Sequence, residues 1–141
     1  MIVVDTSVAF KWFDPTEDFS LEAEKILKDH LAGKNIIIVP DLFFYELANS
    51  WATKSELTLN KITRNFKDLE KIKLLVEIID LKSVSKAAKM SKKCRVSVYD
   101  AIYAVLAKEK GCNLITADSR FVKQVGLAFV KDLGEFGERK N

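Results

Sequence analysis

One histidine, two cysteines, two prolines and five glycines are spread over 141 residues, and each scarcity removes a class of chemistry. A single imidazole cannot build a two-histidine metal site, and a Ser-His-Asp triad would have to recruit His30. His30 falls in "KILKDHLAGKN", near the end of an expected helix, where terminal carbonyls favour an imidazolium; a surface cap is the expectation. Cys94 and Cys112 have no third thiol or histidine spaced around them, which argues against a zinc site or a disulfide framework and leaves buried thiols. There is no G-x-G-x-x-G and no G-x-x-x-x-G-K, so phosphate-cradling glycine loops are missing. Long apolar runs are missing too: stretches such as 36–39 and 42–45 are far too short to cross a bilayer. The start lacks the basic segment and cleavage site of a signal peptide, so a cytoplasmic protein without membrane contact is expected.

What is present is an ordinary globular composition, 48% hydrophobic and 30% charged, at a length that suits one core. A single domain over 1–133 is expected, with 134–141 ("GEFGERKN" and its glycines) as a loose tail. The net charge of +3 is too mild to mark a nucleic-acid binder by itself.

Five runs rich in β-branched or aliphatic residues, 2–4, 36–39, 75–79, 113–116 and 127–130, read as buried strands separated by helical patterns. Continuous apolar strands joined by helices predict a parallel five-stranded sheet covered on both faces, a three-layer α/β/α domain of the α/β class. Two helices fit between the second and third strands, in 42–73, and form a hairpin that could serve as a clip or partner surface.

Carboxylates are the main chemistry left. Asp5 closes "IVV" and Asp118 follows "LITA", and ligands of open parallel sheets bind beyond the carboxyl ends of strands. Taken singly, each reads better as an N-cap. Asp100 fits a capping box with Ser97, but it opens "AIYAVLA", apolar on every side, so it sits where a buried helix emerges. Glu46 shares a narrow polar stripe with Asn49, Ser50 and Thr53 in a heavily apolar helix; a solvated face and the lining of a polar cleft are both open readings. If the acids converge, like charges at about 4 Å repel by roughly 4 kcal/mol at an effective dielectric near 20. A cation resolves this, and oxygen-only ligands favour Mg²⁺ or Mn²⁺, ions suited to phosphodiester hydrolysis.

"VVDTSVAFKWF", "VPDLFFYELANSW" and "SVYDAIYAVLAKEKGCNLITADSRF" together resemble the three acidic blocks of PIN domains, and the chain looks most like the VapC toxins of toxin–antitoxin pairs. The resemblance covers nearly the whole length. It implies a PIN-like fold and a metal-dependent endoribonuclease whose catalytic and metal-holding acids fall on Asp5, Glu46, Asp100 and Asp118, with one or two ions of Mg²⁺ or Mn²⁺. Thr6 or Ser7 and Thr116 match small polar positions near the site, and Asn49 is an auxiliary candidate. It further implies an RNA substrate, a homodimer and a VapB-like antitoxin, for which the 42–73 hairpin is the expected contact.

For RNA, Lys82, Lys86, Lys89 and Lys93 fall within one sector of a helix, with Lys92 and Arg95 just before Asp100. A solvated lysine-rich face reads equally well. Lys11 and Trp12 lie near the first acid, Trp12 as a stacking or a packing residue. A phosphoaspartate domain of receiver or phosphatase type is the competing enzyme reading, although Ser7 stands where Asp-x-Asp would need its second acid and only Asp80 offers an acceptor. A non-catalytic interaction module, with every acid a cap or surface group, is the third reading.

Overall fold

The structure is a computed structural model and describes residues 1–138. Its elements in chain order are β1 (Ile2–Val4), α1 (Thr6–Phe13), α2 (Ser20–Leu31), β2 (Ile37–Pro40), α3 (Leu42–Thr53), α4 (Leu59–Ile72), β3 (Leu75–Glu77), α5 (Leu81–Cys94), α6 (Val98–Lys110), β4 (Asn113–Thr116), α7 (Ser119–Val125), β5 (Val130–Asp132) and α8 (Leu133–Glu138).

All strand pairs are parallel and the sheet runs β3-β2-β1-β4-β5. Every residue of β1 and β2 is buried, as strands covered on both faces require. From β1 the chain steps outward to β2 and β3, then crosses back to β4 and β5. Right-handed crossovers therefore place α1 to α4 over one face and α5 to α7 over the other. The packing agrees: α6 lies on β1, β2 and β4, α1 packs on α2 and α3, and α8 joins the α2 side. The resulting three-layer α/β/α arrangement reverses direction between β1 and β4, which opens a crevice at their carboxyl ends.

Residues 101–107 of α6 are all buried, as the unbroken apolar run predicts. The helix lies against the sheet on one side, while Ala87 of α5 covers Ala101, Ile102 and Val105 on the other. On the opposite face, Phe43, Leu47 and Trp51 bury one stripe of α3. Trp51 receives the edges of Phe10, Phe13 and Phe66 at centroid distances of 6.4, 5.1 and 5.0 Å. These edge-to-face contacts tie α1, α3 and α4 together and hold the hairpin on the domain.

Several sequence expectations need correction. β3 ends at Glu77 instead of 79 and is an edge strand, with Leu75 and Val76 46% and 43% exposed because no helix covers that flank. β2 starts one residue later than expected and ends on Pro40, whose missing N–H is tolerated at a strand end. β5 begins only at Val130: Gly126 closes α7 at φ +59°, and 127–129 form a turn from which Leu127 and Phe129 pack inward while Ala128 is exposed, with the Phe129 carbonyl accepting the Leu114 N–H at 2.9 Å. The tail expected from 134 is helical through 138, anchored by fully buried Leu133; 139–141 lie outside the described residues. His30 is no surface cap. It is buried, its Nδ1 accepts the Ile37 N–H at 3.0 Å, so Nε2 carries the proton and donates to the Ile72 carbonyl at 2.9 Å. Trp12 is a packing residue, its indole N–H donating to the Ala23 carbonyl at 2.9 Å. Cys94 and Cys112 are free and half-buried. No helix among the described residues is long and apolar enough to cross a membrane.

Candidate active site

Asp5 is the first residue past β1. Because Val4 pairs with Ile115, the next step of the register sets Asp5 beside Thr116. One carboxylate oxygen accepts the Ser7 N–H at 3.1 Å and the Ser7 hydroxyl; the other accepts the Thr116 hydroxyl at 2.5 Å. Ser7 Oγ also accepts the Ala117 N–H at 2.9 Å, locking the start of α1 to the end of β4. Asp118 caps α7, its Oδ1 accepting the Phe121 N–H at 3.1 Å, while its own N–H donates to Thr116 Oγ1 at 3.1 Å. Capping and convergence are thus one device: the caps aim Asp5 and Asp118 at the same crevice.

Asp100 enters from α6, where Ser97 Oγ accepts its N–H at 3.0 Å. Glu46 enters from α3, half-buried, and its Oε1 accepts the hydroxyl of fully buried Tyr103 at 2.6 Å. Tyr103 is the one participant that sequence reasoning missed. It lies one helical turn after Asp100, inside an otherwise aliphatic stretch, where a phenol needs a partner; that combination was the available signal.

Burial pushes Asp5 from an ordinary 3.8 up to about 6, with the Ser7 and Thr116 hydrogen bonds opposing it and the charge of Asp100 adding to it. Glu46 and Asp100 are raised as well, first by burial; Asp100 then raises Glu46, and Asp118 raises Asp100. The Tyr103 phenol is pushed far up by burial and by the Glu46 charge, so it stays a donor. Asp100 is therefore the electrostatic centre of the group. The ion pairs among the described residues, Lys11–Glu17, Lys25–Asp29, Lys28–Glu24 and Lys110–Glu77, all lie elsewhere, and only Lys54 adds a weak opposing charge near Glu46.

An uncompensated set of carboxylate oxygens with supporting hydroxyls has the donor chemistry and charge that a hard divalent cation requires. Among the described residues, no three Asp, Glu, His or Cys side chains are drawn together into a ligating cluster. The acids stand close enough to raise one another's protonation without yet sharing a point of coordination.

The other candidates separate. Ser7 and Thr116 belong to the Asp5 network, while Thr6 opens α1 outside it. Asn49 is exposed and its groups engage only Thr53. Lys11 pairs with Glu17 at 3.2 Å, its side chain 9% exposed. Lys82, Lys86, Lys89 and Lys93 are all exposed on α5. Ser83 Oγ meets Glu109 at 2.6 Å, which fixes α5 antiparallel to α6. Lys93 is consequently at the Asp100 end, and Lys82 at the far end, roughly 16 Å away along the helix. Asp80 caps α5 through the Ser83 N–H at 2.8 Å.

The sequence model of the PIN domain matches residues 2–126, nearly the whole of this architecture. The chain belongs to the PIN domain family. Among solved structures, this PIN domain is similar to a toxin–antitoxin complex from Klebsiella pneumoniae (TM-score 0.70, 15% identity, 94% of this chain and 98% of that one). It is also similar to a Pyrobaculum aerophilum protein, PAE2754 (0.68, 18%, 98% and 97%). A third is VapC20 of Mycobacterium tuberculosis, described as a sarcin–ricin loop cleaving toxin (0.67, 15%, 87% and 94%). Identities this low show a shared fold. A search of curated proteins finds no match.

Proposed function

We propose that this PIN domain is a divalent-metal-dependent endoribonuclease acting in the cytoplasm as the toxin of a toxin–antitoxin pair. The observation that carries the reading is the convergence of Asp5, Glu46 and Asp100, each with its acidity weakened by burial and by neighbouring negative charge, in a crevice without an ion-paired cation. Asp5, Asp100 and Asp118, with Glu46, would hold one or two Mg²⁺ or Mn²⁺ ions. Such an ion neutralises phosphate charge and makes water a better nucleophile.

The chain's own residues hold the donors still. Ser7 and Thr116 each point a hydroxyl proton at Asp5, so neither carboxylate oxygen can rotate away without losing a hydrogen bond. Tyr103 occupies Oε1 of Glu46 and leaves Oε2 for the crevice. Hydrolysis by water breaks the bond between phosphorus and the 3′ oxygen, leaving a 5′-phosphate and a 3′-hydroxyl. Of the cations on and just after α5, Lys89, Lys92, Lys93 and Arg95 lie towards the Asp100 end and would meet phosphates closer to the cleaved bond than those met by Lys82 and Lys86.

The partner reading draws on the Klebsiella pneumoniae neighbour, a toxin–antitoxin complex. We extend it to a VapB-like antitoxin contacting the α3–α4 hairpin, and to a homodimer. The decisive experiment incubates the purified protein with structured and single-stranded RNAs in Mg²⁺, Mn²⁺ or EDTA, beside Asp5→Asn. Metal-dependent cuts ending in 5′-phosphate, lost in the variant, are expected. Undiminished cutting in EDTA or by Asp5→Asn would reject the assignment.

A further inference from the structure

The chain has three tyrosines, and all three stand at the acids. Tyr103 is buried and donates to Glu46, while Tyr45 and Tyr99 immediately precede Glu46 and Asp100 and are 68% and 60% exposed. Adjacent Cα atoms lie about 3.8 Å apart, so each exposed ring is rooted beside its carboxylate. The remaining exposed aromatic among the described residues, Phe19, is engaged elsewhere, its ring lying against Gly134.

The two exposed rings also share one seam. Leu42 and Val98 pack against the same small cluster, which includes Ala101 and Ile102, so the first turn of α3 meets the first turn of α6. Tyr45 stands three positions after Leu42, on the same face of α3, and Tyr99 follows Val98 directly. The Tyr103 to Glu46 bond closes the seam from inside. Single apolar side chains are common on protein surfaces; here both helix-borne acids have an exposed aromatic neighbour. A cation stands close by. Arg95, in the turn that leads into α6, is exposed and forms no ion pair among the described residues. It ends α5 at φ +59°, a left-handed conformation that Gly111 and Gly126 supply at the ends of α6 and α7. Its carbonyl accepts the Gln124 amide at 3.4 Å, which ties the turn to α7, the helix that Asp118 caps.

We propose that Tyr45 and Tyr99 form a stacking platform for the unpaired bases next to the cleaved phosphate of a single-stranded RNA, with Arg95 meeting a neighbouring phosphate. The inference rests on the ribonuclease reading. Carboxylates repel a phosphate backbone, so the strand needs attraction that does not come from charge at the acids themselves. Aromatic faces supply it, because every base has a face to stack, and a guanidinium beside them holds the backbone. Paired bases are already stacked and offer no free face, so the platform selects single strands and tolerates many sequences.

The test measures fluorescence anisotropy with the full chain in EDTA, where metal-dependent cutting is off, using fluorescein-labelled hexaadenylate and a hexamer of abasic ribose phosphates. The native chain should bind hexaadenylate about tenfold tighter than the abasic strand, and Tyr45→Ser and Tyr99→Ser should each weaken hexaadenylate about fivefold while leaving the abasic strand unchanged. Tyr45→Phe and Tyr99→Phe should bind as the native chain does, and Arg95→Gln should weaken both strands alike. The melting temperature and its rise with Mn²⁺ should hold in the serine variants, since exposed rings brace neither the core nor the metal. Equal affinity for the two strands, hexaadenylate binding untouched by the serine variants, an equal loss in the phenylalanine variants, or a lost Mn²⁺ response each overturns the platform. Self-association that the serine variants abolish while hexaadenylate affinity holds assigns the rings to a second copy of the chain and also overturns it. Metal-dependent RNA cutting that survives these failures leaves the ribonuclease reading standing, while tyrosine-dependent binding of bases without any metal-dependent cutting removes that reading and keeps the platform as an RNA-binding surface.

Discussion

The hydroxyl of Tyr103 donates to Glu46 Oε1 across 2.6 Å, joining two helices that lie on opposite faces of the sheet. The bond crosses where the sheet opens, and it lowers the proton affinity that burial gives Glu46. Tyr103→Phe should therefore raise the Glu46 pKa, destabilise the fold by about 1 kcal/mol, and weaken Mn²⁺ binding several-fold. Carboxyl NMR titration, denaturant melts and Mn²⁺ titration by calorimetry check the three effects in turn.

Asp5 sets a pH dependence of stability. Its folded pKa, about 6, lies above the ordinary 3.8, so the folded state holds the proton more tightly than the unfolded chain. Its stabilising contribution is complete below 3.8 and is lost as the pH rises through about 6. The total loss is roughly 3 kcal/mol by neutral pH. Melting temperatures in EDTA between pH 4 and 7 should fall in the native protein and stay flatter in Asp5→Asn, which should be the more stable of the two at pH 7.

A divalent cation should reverse that trend. Millimolar Mn²⁺ or Mg²⁺ binds the ionised cluster of the folded state alone and should raise the melting temperature at pH 7. Asp100→Asn, which removes the central charge, should abolish the gain while lowering the pKa values of Asp5 and Glu46, readable by carboxyl NMR titration. An equal metal-induced rise in this variant would count against the cluster.

Thr116→Val keeps the shape of a fully buried residue and deletes the hydroxyl that serves both Asp5 and the Asp118 N–H. A cost of about 1–3 kcal/mol is expected, with the Asp5 pKa moving further up. Thermal melts and the same NMR titration report the two effects.

His30→Leu should cost about 3 kcal/mol, because the Ile37 N–H and the Ile72 carbonyl would be left unpaired in the interior. The variant should retain metal-induced stabilisation, since His30 braces α2, β2 and α4 away from the acids.

The alternation of strands and helices, the wholly buried α6 and the placement of Asp5 and Asp118 past strand ends were all legible in the chain, because hydrophobic periodicity and capping act over a few neighbouring residues. The three acidic blocks named the family by their order. Other features were not local. Leu75 and Val76 looked like core yet form an exposed edge, since a strand's burial depends on what covers it. Residues 127–129 had strand composition but pack as a turn after Gly126. His30 looked like a surface cap and became an internal strut because its partners stand seven and forty-two positions away. The Tyr103 to Glu46 bond spans fifty-seven positions, so the sequence supplied the phenol and the carboxylate while only the packing of α3 and α6 around one sheet could bring them into contact.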